Sequence, residues 1–247
     1  MLILIAESKT MTACDSHVAA AGMPALESMA ADVMESLKGL TAEQLAERLK
    51  LSLAMSRRMW SMIYDFDNKS TGATAIEAYT GVVFKALAYD TLSAEAQQRI
   101  GRNTRIISSL YGWLTPCDTV KAYRLDFTSR VAPGGGTLAS WFRDAVTDCL
   151  LRELNERDEH DIVNMLPLDA AKCIDWKKVE ARGARVWRPD FKINGTSGLR
   201  TPDAGTLKTL RGSLLRQIAE EDIDSPDKLQ EGASTVSSDG TITFIID

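Results

Sequence analysis

The stretch MLILIAESKT, residues 1–10, decides the fold class. Residues 1–6 are apolar, follow no basic region and meet charged side chains at once, so they are predicted to form a buried strand and not a signal peptide. Polar side chains follow at Glu7, Ser8, Lys9 and Thr10. They lie at the carboxyl end of the strand, the edge at which helix-covered sheets commonly bind ligands. The sequence therefore predicts a candidate site just after its first strand.

Periodicity along the rest of the chain predicts further helices and strands. Helices are expected over residues 24–39, 42–50, 52–66, 75–89, 94–102, 138–154 and 206–221. Strands are expected over 105–110, 162–166, 184–193 and 241–246, with Pro189 breaking the third of these. Because helices and strands do not alternate strictly, the fold class is predicted to be α+β (mixed α/β). We expect a single compact domain over residues 1–247, with a central mixed sheet and surrounding helices.

The composition is that of an ordinary globular protein. Of the 247 residues, 45% are hydrophobic and 26% are charged. No apolar run reaches the roughly 20 residues that a membrane helix needs. A cytoplasmic protein with no membrane contact is therefore expected.

Cysteines and histidines are too few and too scattered for a metal centre. They are Cys14, Cys117, Cys149, Cys173, His17 and His160. None of them forms the close pair that zinc sites use, so no metal and no cofactor are expected. Buried reduced thiols are the simpler interpretation, while Cys117 could be reactive if Lys121 or Arg124 lowers its pKa.

Charge is segregated along a chain whose net charge is −5. Cations outnumber carboxylates over residues 99–130 and again over 172–216, whereas residues 220–227 are acidic. The net charge argues against a protein that coats nucleic acid indiscriminately, since the phosphate interaction needs clustered cations. Local basic surfaces are compatible with this distribution.

The most distinctive loop is SSLYGWLTPCDTVKAYRLDF, residues 108–127. Gly112 can take a positive φ angle and Pro116 fixes its own, so the loop is predicted to be stiff and to hold Asp118 and Arg124 in place. The alternative is purely structural: the aromatic residues are packing groups and Asp118 forms an internal ion pair with Arg124. Composition alone leaves both interpretations open.

This loop resembles a segment of the YaaA peroxide-stress family, in which LYG-x-L-x-P-x-D is followed by YRL and an acidic residue. The matching residues are Leu110, Tyr111, Gly112, Leu114, Pro116, Asp118, Tyr123, Arg124, Leu125 and Asp126. Further matches are Lys9 and Thr10, residues 78–84, Trp141 and Phe142, Val163 and Asn164, and Lys208, Arg211 and Gly212. The chain departs from the family pattern at the proline before Lys9, at Val82, at Thr115 and over residues 165–169, so it resembles a divergent member.

The resemblance implies a non-enzymatic DNA-binding protein of the peroxide and oxidative stress response. It also implies an indirect limit on free intracellular iron, and a partner, DNA, bound by its backbone or shape through a basic cleft and a helix-hairpin-helix-like element. Residues 41–66 are the local candidate for that element, because a capping-box pattern at Thr41 and a cap at Ser52 predict two helices across a very short turn. The DNA-binding candidates are Lys9, Lys50, Arg57, Arg58, Arg124, Lys172, Lys208 and Arg211, and the cleft candidates are Ser8, Thr10, Tyr111, Asp118, Asp126 and Asn164.

An enzyme is the alternative that the residues leave open. In it, Lys9 and Arg124 clamp the anion of a phosphorylated or nucleotide-like small molecule, with Asp118 or Asp126 as acid or base. A deep pocket would favour this alternative over a phosphate-tracking surface.

Overall fold

A mixed eight-stranded sheet organises the computed structural model, which describes residues 1–12, 22–66, 72–195 and 198–246. The strands are β1 (Leu2–Ala6), β2 (Ala73–Thr74), β3 (Thr104–Ser108), β4 (Gly112–Leu114), β5 (Thr119–Val120), β6 (Asp161–Asn164), β7 (Arg185–Gly195), β8 (Gly198–Arg200), β9 (Thr235–Val236) and β10 (Thr241–Ile246). The helices are α1 (Glu27–Lys38), α2 (Ala42–Leu49), α3 (Leu53–Asp65), α4 (Ala75–Ala78), α5 (Val82–Leu87), α6 (Ala94–Asn103), α7 (Leu138–Glu156), α8 (Trp176–Glu180), α9 (Ala204–Glu220) and α10 (Pro226–Glu231).

The sheet runs in the order β4-β3-β1-β6-β7-β10-β9, with β8 added to β7. The central pairs from β3 to β10 are parallel, whereas β4, β8 and β9 pair antiparallel. β2 and β5 form a separate two-stranded sheet. The buried apolar residues of these elements belong to one hydrophobic core. The predicted α+β (mixed α/β) class, as a single compact domain, is confirmed.

β1 lies near the middle of the sheet and is buried along its length, as its apolar sequence predicts. It pairs with β3 on one side and with β6 on the other. The chain leaves β1 toward β3 but leaves β6 toward β7, in the opposite direction. Two adjacent parallel strands whose connections diverge leave a crevice at their carboxyl ends, which is the usual ligand position in such sheets. The topology therefore places a crevice just after residue 6.

The helix predicted over residues 75–89 is interrupted, so that prediction was wrong at residues 79–81. Tyr79 is extended, with φ −83° and ψ 115°, and bridges to Met11. The Thr80 N–H donates to the Thr10 carbonyl at 2.9 Å, and the Thr12 N–H donates to the Ala78 carbonyl at 2.9 Å. These bonds to the segment after β1 draw the chain out of the helix, and helical periodicity carries no information about them.

Pro189 does not break its strand, which also corrects the sequence prediction. β7 is continuous from Arg185 to Gly195, with Pro189 opposite Ile242 of β10. The ladder bond to β10 at this point comes from the Arg188 N–H, which donates to the Gly240 carbonyl at 2.8 Å. The adjacent ring nitrogen of Pro189 faces the other way, beyond Trp187, where the pairing with β6 has ended. The missing donor therefore removes no sheet bond.

The helical hairpin over residues 41–66 forms with the predicted caps. Thr41 and Gln44 make a reciprocal capping box, and the Ser52 hydroxyl accepts from the Met55 N–H at 3.3 Å. Between the helices, Lys50 adopts a left-handed conformation with φ 53°, which reverses the chain at the end of α2. The Met59 sulfur of α3 accepts from the Arg124 N–H at 3.2 Å, so the hairpin is fixed against the loop that contains Arg124.

No helix in the described ranges is both long and apolar enough to cross a lipid bilayer. Cys14 and His17, which the sequence interpretation considered as metal ligands, lie outside the described residues.

Candidate functional site

Two neighbouring cavities lie after β1. The first, which we call the basic groove, has a volume of about 420 Å³ and separates the hairpin turn from the loop over residues 124–130. Its lining comprises Lys9, Arg48, Leu49, Lys50, Leu51, Arg124, Leu125, Asp126, Thr128, Ser129 and Arg130. Five of these side chains are cations and one is a carboxylate.

The carboxylate of the basic groove is already paired. Asp126 forms a salt bridge with Lys9 and accepts hydrogen bonds from the Thr128 N–H and hydroxyl at 2.9 and 2.7 Å. Burial acts to raise the pKa of Asp126, but the bonds from Lys9 and Thr128 outweigh it and leave the pKa below its ordinary value. Among the described residues, Arg48, Lys50, Arg124 and Arg130 have no ion-pair partner. The groove therefore keeps four uncompensated positive charges.

The floor of the basic groove is anchored on both sides. The Ala139 N–H at the start of α7 donates to the Phe127 carbonyl at 2.9 Å, and the Leu138 N–H donates to the Ser129 carbonyl at 3.0 Å. Arg124 donates from its guanidinium to the Lys9 carbonyl, which ties the loop to the end of β1. These hydrogen bonds hold the backbone that carries the cations in place, so a ligand does not have to order it on binding.

Replacing Lys50 with glycine removes a charge of the basic groove but keeps the left-handed conformation of the hairpin turn. Glycine adopts the left-handed conformation without the cost of about 1–2 kcal/mol that other residues bear there, although it gains freedom in the unfolded chain. We therefore expect a free energy of unfolding that is unchanged or up to about 1 kcal/mol higher, measured by urea denaturation. Lys50→Ala is the matched control, because it removes the same charge but keeps the left-handed cost. Lower stability of the glycine than of the alanine variant would contradict this account of the turn.

The second cavity, the switch-point pocket, lies in the crevice between the carboxyl ends of β1 and β6 and has a volume of about 310 Å³. Its lining comprises Ile5, Ala6, Glu7, Ser8, Lys9, Thr10, Gly81, Val82, Val83, Phe84, Phe127, Met165, Pro167, Asp169, Lys208 and Arg211. Lys9 lines both cavities, so its salt bridge with Asp126 lies on their common boundary.

Gly212 explains how two cations of α9 reach the switch-point pocket. A Cβ at Gly212 would lie 2.2 Å from the Val83 carbonyl oxygen, so only glycine permits α9 to pack this closely on α5. Lys208 and Arg211, one turn apart just before it, then line the pocket together with Val82 and Val83. The sequence Lys-x-x-Arg-Gly thus combines two charges with the residue that positions them.

Glu7 is the acidic residue of the switch-point pocket. Its Oε2 accepts from the Ser109 N–H at 2.7 Å and from the Tyr123 hydroxyl. The Tyr123 hydroxyl oxygen lies 2.7 Å from both the Tyr79 hydroxyl and Ser108 Oγ, whose hydrogens can point toward it. Burial raises the pKa of Glu7 to about 7, against the lowering effect of the hydrogen bonds from Ser109 and Tyr123. A carboxyl group that exchanges its proton near neutral pH therefore lies on this pocket.

The structure brings only part of the sequence-predicted set to the two cavities. The residues that line one or both are Ser8, Lys9, Thr10, Lys50, Arg124, Asp126, Lys208 and Arg211. Arg57 and Arg58 are exposed on α3, and Lys172 is exposed in the short helix over Ala170–Cys173. These three cations lie outside both linings.

Three of the predicted cleft residues have structural contacts instead. Asp118 accepts from the Thr115 N–H at 2.8 Å and closes the turn around Pro116, and burial raises its pKa against that hydrogen bond. The Tyr111 hydroxyl accepts from the Lys121 N–H at 2.9 Å, and Asn164 Oδ1 accepts from the Leu166 N–H at 3.0 Å. None of these three lines either of the two cavities.

Cys117 lacks the environment of a reactive thiol. Burial raises its pKa, and Asp118 adds to the increase, while Arg105 opposes it. Neither Arg124 nor Lys121 contributes the lowering that the sequence interpretation considered.

The chain is similar to known proteins over most of its length. A family model described as "Peroxide stress protein YaaA" matches residues 1–235. The chain belongs to the YaaA peroxide stress protein family. It is 30% identical over 233 residues to a UPF0246 protein of Parabacteroides distasonis, covering 93% of this chain and 91% of that protein. It is also 31% identical to a UPF0246 protein of Bacteroides thetaiotaomicron, with 93% and 90% covered.

Within this YaaA-family chain, two departures from the pattern of the family face the same pocket. Counted back from the shared Lys9 and Thr10, Glu7 stands at the position of the family's proline, and Val82 stands where the family pattern has aspartate. Both residues line the switch-point pocket. Part of the departing segment over residues 165–169 also lines this pocket, whereas Thr115 does not.

Proposed function

We propose that this YaaA-family protein acts in the peroxide stress response of the cytoplasm by binding duplex or branched DNA along the basic groove. The observation that carries the proposal is the set of four cations without ion-pair partners among the described residues, at Arg48, Lys50, Arg124 and Arg130. Clustered cations on a rigid surface bind phosphate groups through counterion release and steer association. The net charge of −5 is compatible with this, because the cations are local.

In the proposed complex, the helical hairpin contacts DNA through its side chains more than through its backbone. The Lys50 and Leu51 N–H groups already donate to carbonyls of α2, and the Ser52 hydroxyl caps α3. Helix-hairpin-helix contacts to phosphate normally use N–H groups of the turn. In the proposed complex, Arg48 and Lys50 therefore provide the phosphate contacts of the hairpin, with Arg57 and Arg58 of α3 as its outer edge.

Duplex and four-way-junction DNA binding, measured by fluorescence anisotropy across a salt series, tests the proposal. Each substitution Arg48→Gln, Lys50→Gln, Arg124→Gln or Arg130→Gln should reduce the slope of log affinity against log salt by about 0.9 in magnitude, and the four together by about 3–4. Arg152→Gln is the matched control, since Arg152 is exposed at the opposite, amino-terminal edge of the sheet. Absent or salt-independent binding, or an unchanged slope in the fourfold variant, would contradict the proposal.

The effect on free iron is indirect in this proposal. The cations of the basic groove repel Fe²⁺, whereas they attract the DNA that iron-dependent oxidation damages. Stoichiometric iron binding by the purified protein, measured by equilibrium dialysis, would show the effect to be direct instead.

A further inference from the structure

The switch-point pocket carries features that DNA backbone binding does not use. It lies at the topological switch of the sheet, and its volume of about 310 Å³ falls in the range of small-molecule sites. It differs from the basic groove in its apolar lining, which includes Val83, Phe84, Phe127 and Met165. A continuous phosphate backbone has no apolar group to pack on such a lining, whereas a small molecule with a ring system does.

Arg211 indicates the charge of a ligand that would fit this pocket. Its side chain is partly buried, and burial lowers its pKa, against the opposing effect of Asp169. Among the described residues it has no hydrogen-bond or ion-pair partner. Asp169 lines the same pocket and acts on Arg211 through its charge, but the two side chains form no salt bridge in the described part of the chain, and Asp169 Oδ1 accepts from the Ala170 N–H at 3.0 Å. A partly desolvated guanidinium without an ion-pair partner favours an anion, and Lys208 adds a second positive charge beside it.

Glu7 provides the complementary feature. The hydrogen bonds from the Ser109 N–H and the Tyr123 hydroxyl both go to Oε2, and the nearby Ser108 and Ser109 hydroxyls also lower the pKa of the carboxyl group. Ser109 and Tyr123 fix the orientation of the carboxyl group, whose Oε1 can accept from an N–H or O–H of a ligand. The site therefore combines an anion position, an apolar wall and an oriented carboxyl group.

We propose that the switch-point pocket binds a nucleoside monophosphate, with the phosphate on Lys208 and Arg211 and with Glu7 Oε1 accepting a hydrogen bond from an N–H or O–H of the nucleoside. The phosphate accounts for the two cations, and the nucleoside accounts for the apolar lining and the volume. Because burial raises the pKa of Glu7 to about 7, the ionised share of this hydrogen-bond acceptor changes near neutral pH. The site is separate from the basic groove, apart from Lys9 on the boundary.

Isothermal titration with each of the four ribonucleoside 5′-monophosphates, with inorganic phosphate and with the matching nucleosides tests this site in the full chain. At least one monophosphate should bind with a dissociation constant below 1 mM, at least about tenfold tighter than its nucleoside. Lys208→Met and Arg211→Met should each weaken that binding by about tenfold or more. Lys85→Met, an exposed residue of α5 outside the lining, is the matched control and should leave it unchanged.

The pH dependence provides a second readout that a structural role would not move. The ratio of the wild-type affinity to the Glu7→Gln affinity should change across pH 6–8 because Glu7 titrates there, whereas the second ionisation of the ligand phosphate, at about pH 6, affects both proteins and cancels in the ratio. Absence of binding by all four monophosphates at millimolar concentration, or equal affinity of wild type and the folded Lys208→Met variant, overturns the proposal. Neither result depends on DNA binding, because Lys208, Arg211 and Glu7 lie outside the basic groove.

Discussion

Replacing Gly112 with alanine should lower the free energy of unfolding by about 2–5 kcal/mol. Gly112 opens β4 with φ +65°, a conformation that costs another residue about 1–2 kcal/mol. Its added Cβ would lie 2.7 Å from Phe142 Cδ1 and 2.8 Å from Leu26 Cδ1, inside the core between α1 and α7. Overpacking of this kind typically costs a further 1–3 kcal/mol. Urea denaturation monitored by circular dichroism measures the difference.

Gly134→Ala isolates the backbone cost from the steric cost. Gly134 has φ +77°, similar to that of Gly112, but no atom lies within 4 Å of its added Cβ. It should lose only about 1–2 kcal/mol. Equal destabilisation by the two substitutions would show that the core around Phe142 accommodates the methyl group, and that conformational strain alone restricts residue 112.

The fold was predictable where the determining interactions are local. The capping box at Thr41, the cap at Ser52 and the positive φ of Gly112 are decided by residues within three positions along the chain, and the structure has all three. The interruption at Tyr79 depends instead on bonds to residues 10–12, about 70 positions earlier. Likewise, Pro189 is tolerated because of where β6 ends. Contacts of this range leave no trace in helical or strand periodicity.

The candidate site was predictable in its location but not in its chemistry. The rule that ligands bind after a central parallel strand drew attention to residues 7–10, and these line the switch-point pocket. The rule does not say which way a side chain points, so Glu7 was not singled out. The available signal was a carboxylate directly after a fully buried strand, a position in which desolvation is expected.

Asp118 shows that a recognisable motif can single out a residue whose described contacts are structural. Thr115-Pro116-Cys117-Asp118 is a proline-containing turn, and the Asp118 carboxylate satisfies the Thr115 N–H of that turn. Arg48 and Arg130 were missed for a different reason. They belong to no motif and enter the basic groove only because α2 and the loop over residues 127–130 meet in the fold.

Glu7→Gln should abolish a pH dependence of stability in this protein. In the folded state the pKa of Glu7 is about 7, above its ordinary value of 4.5, so the folded protein holds a proton that the unfolded chain releases between these values. The wild-type free energy of unfolding therefore falls as the pH rises from about 4.5 to 7. Glutamine has no charge to bury and bears no such cost. The variant should match the wild type near pH 4.5 and exceed it by about 2–3 kcal/mol at pH 8.

Two further variants test whether the pH dependence of stability comes from the carboxylate of Glu7. Glu47→Gln removes an exposed carboxylate of α2 and should show the pH profile of the wild type. Tyr123→Phe removes a hydroxyl that donates to the charged form of Glu7, so the pKa should rise further and the decrease in stability should extend to higher pH. If the stability difference between Glu7→Gln and wild type were constant from pH 5 to 8, Glu7 would be ionised throughout. It would then bind a ligand as a fixed anion, since a group that does not titrate in this range cannot exchange a proton there.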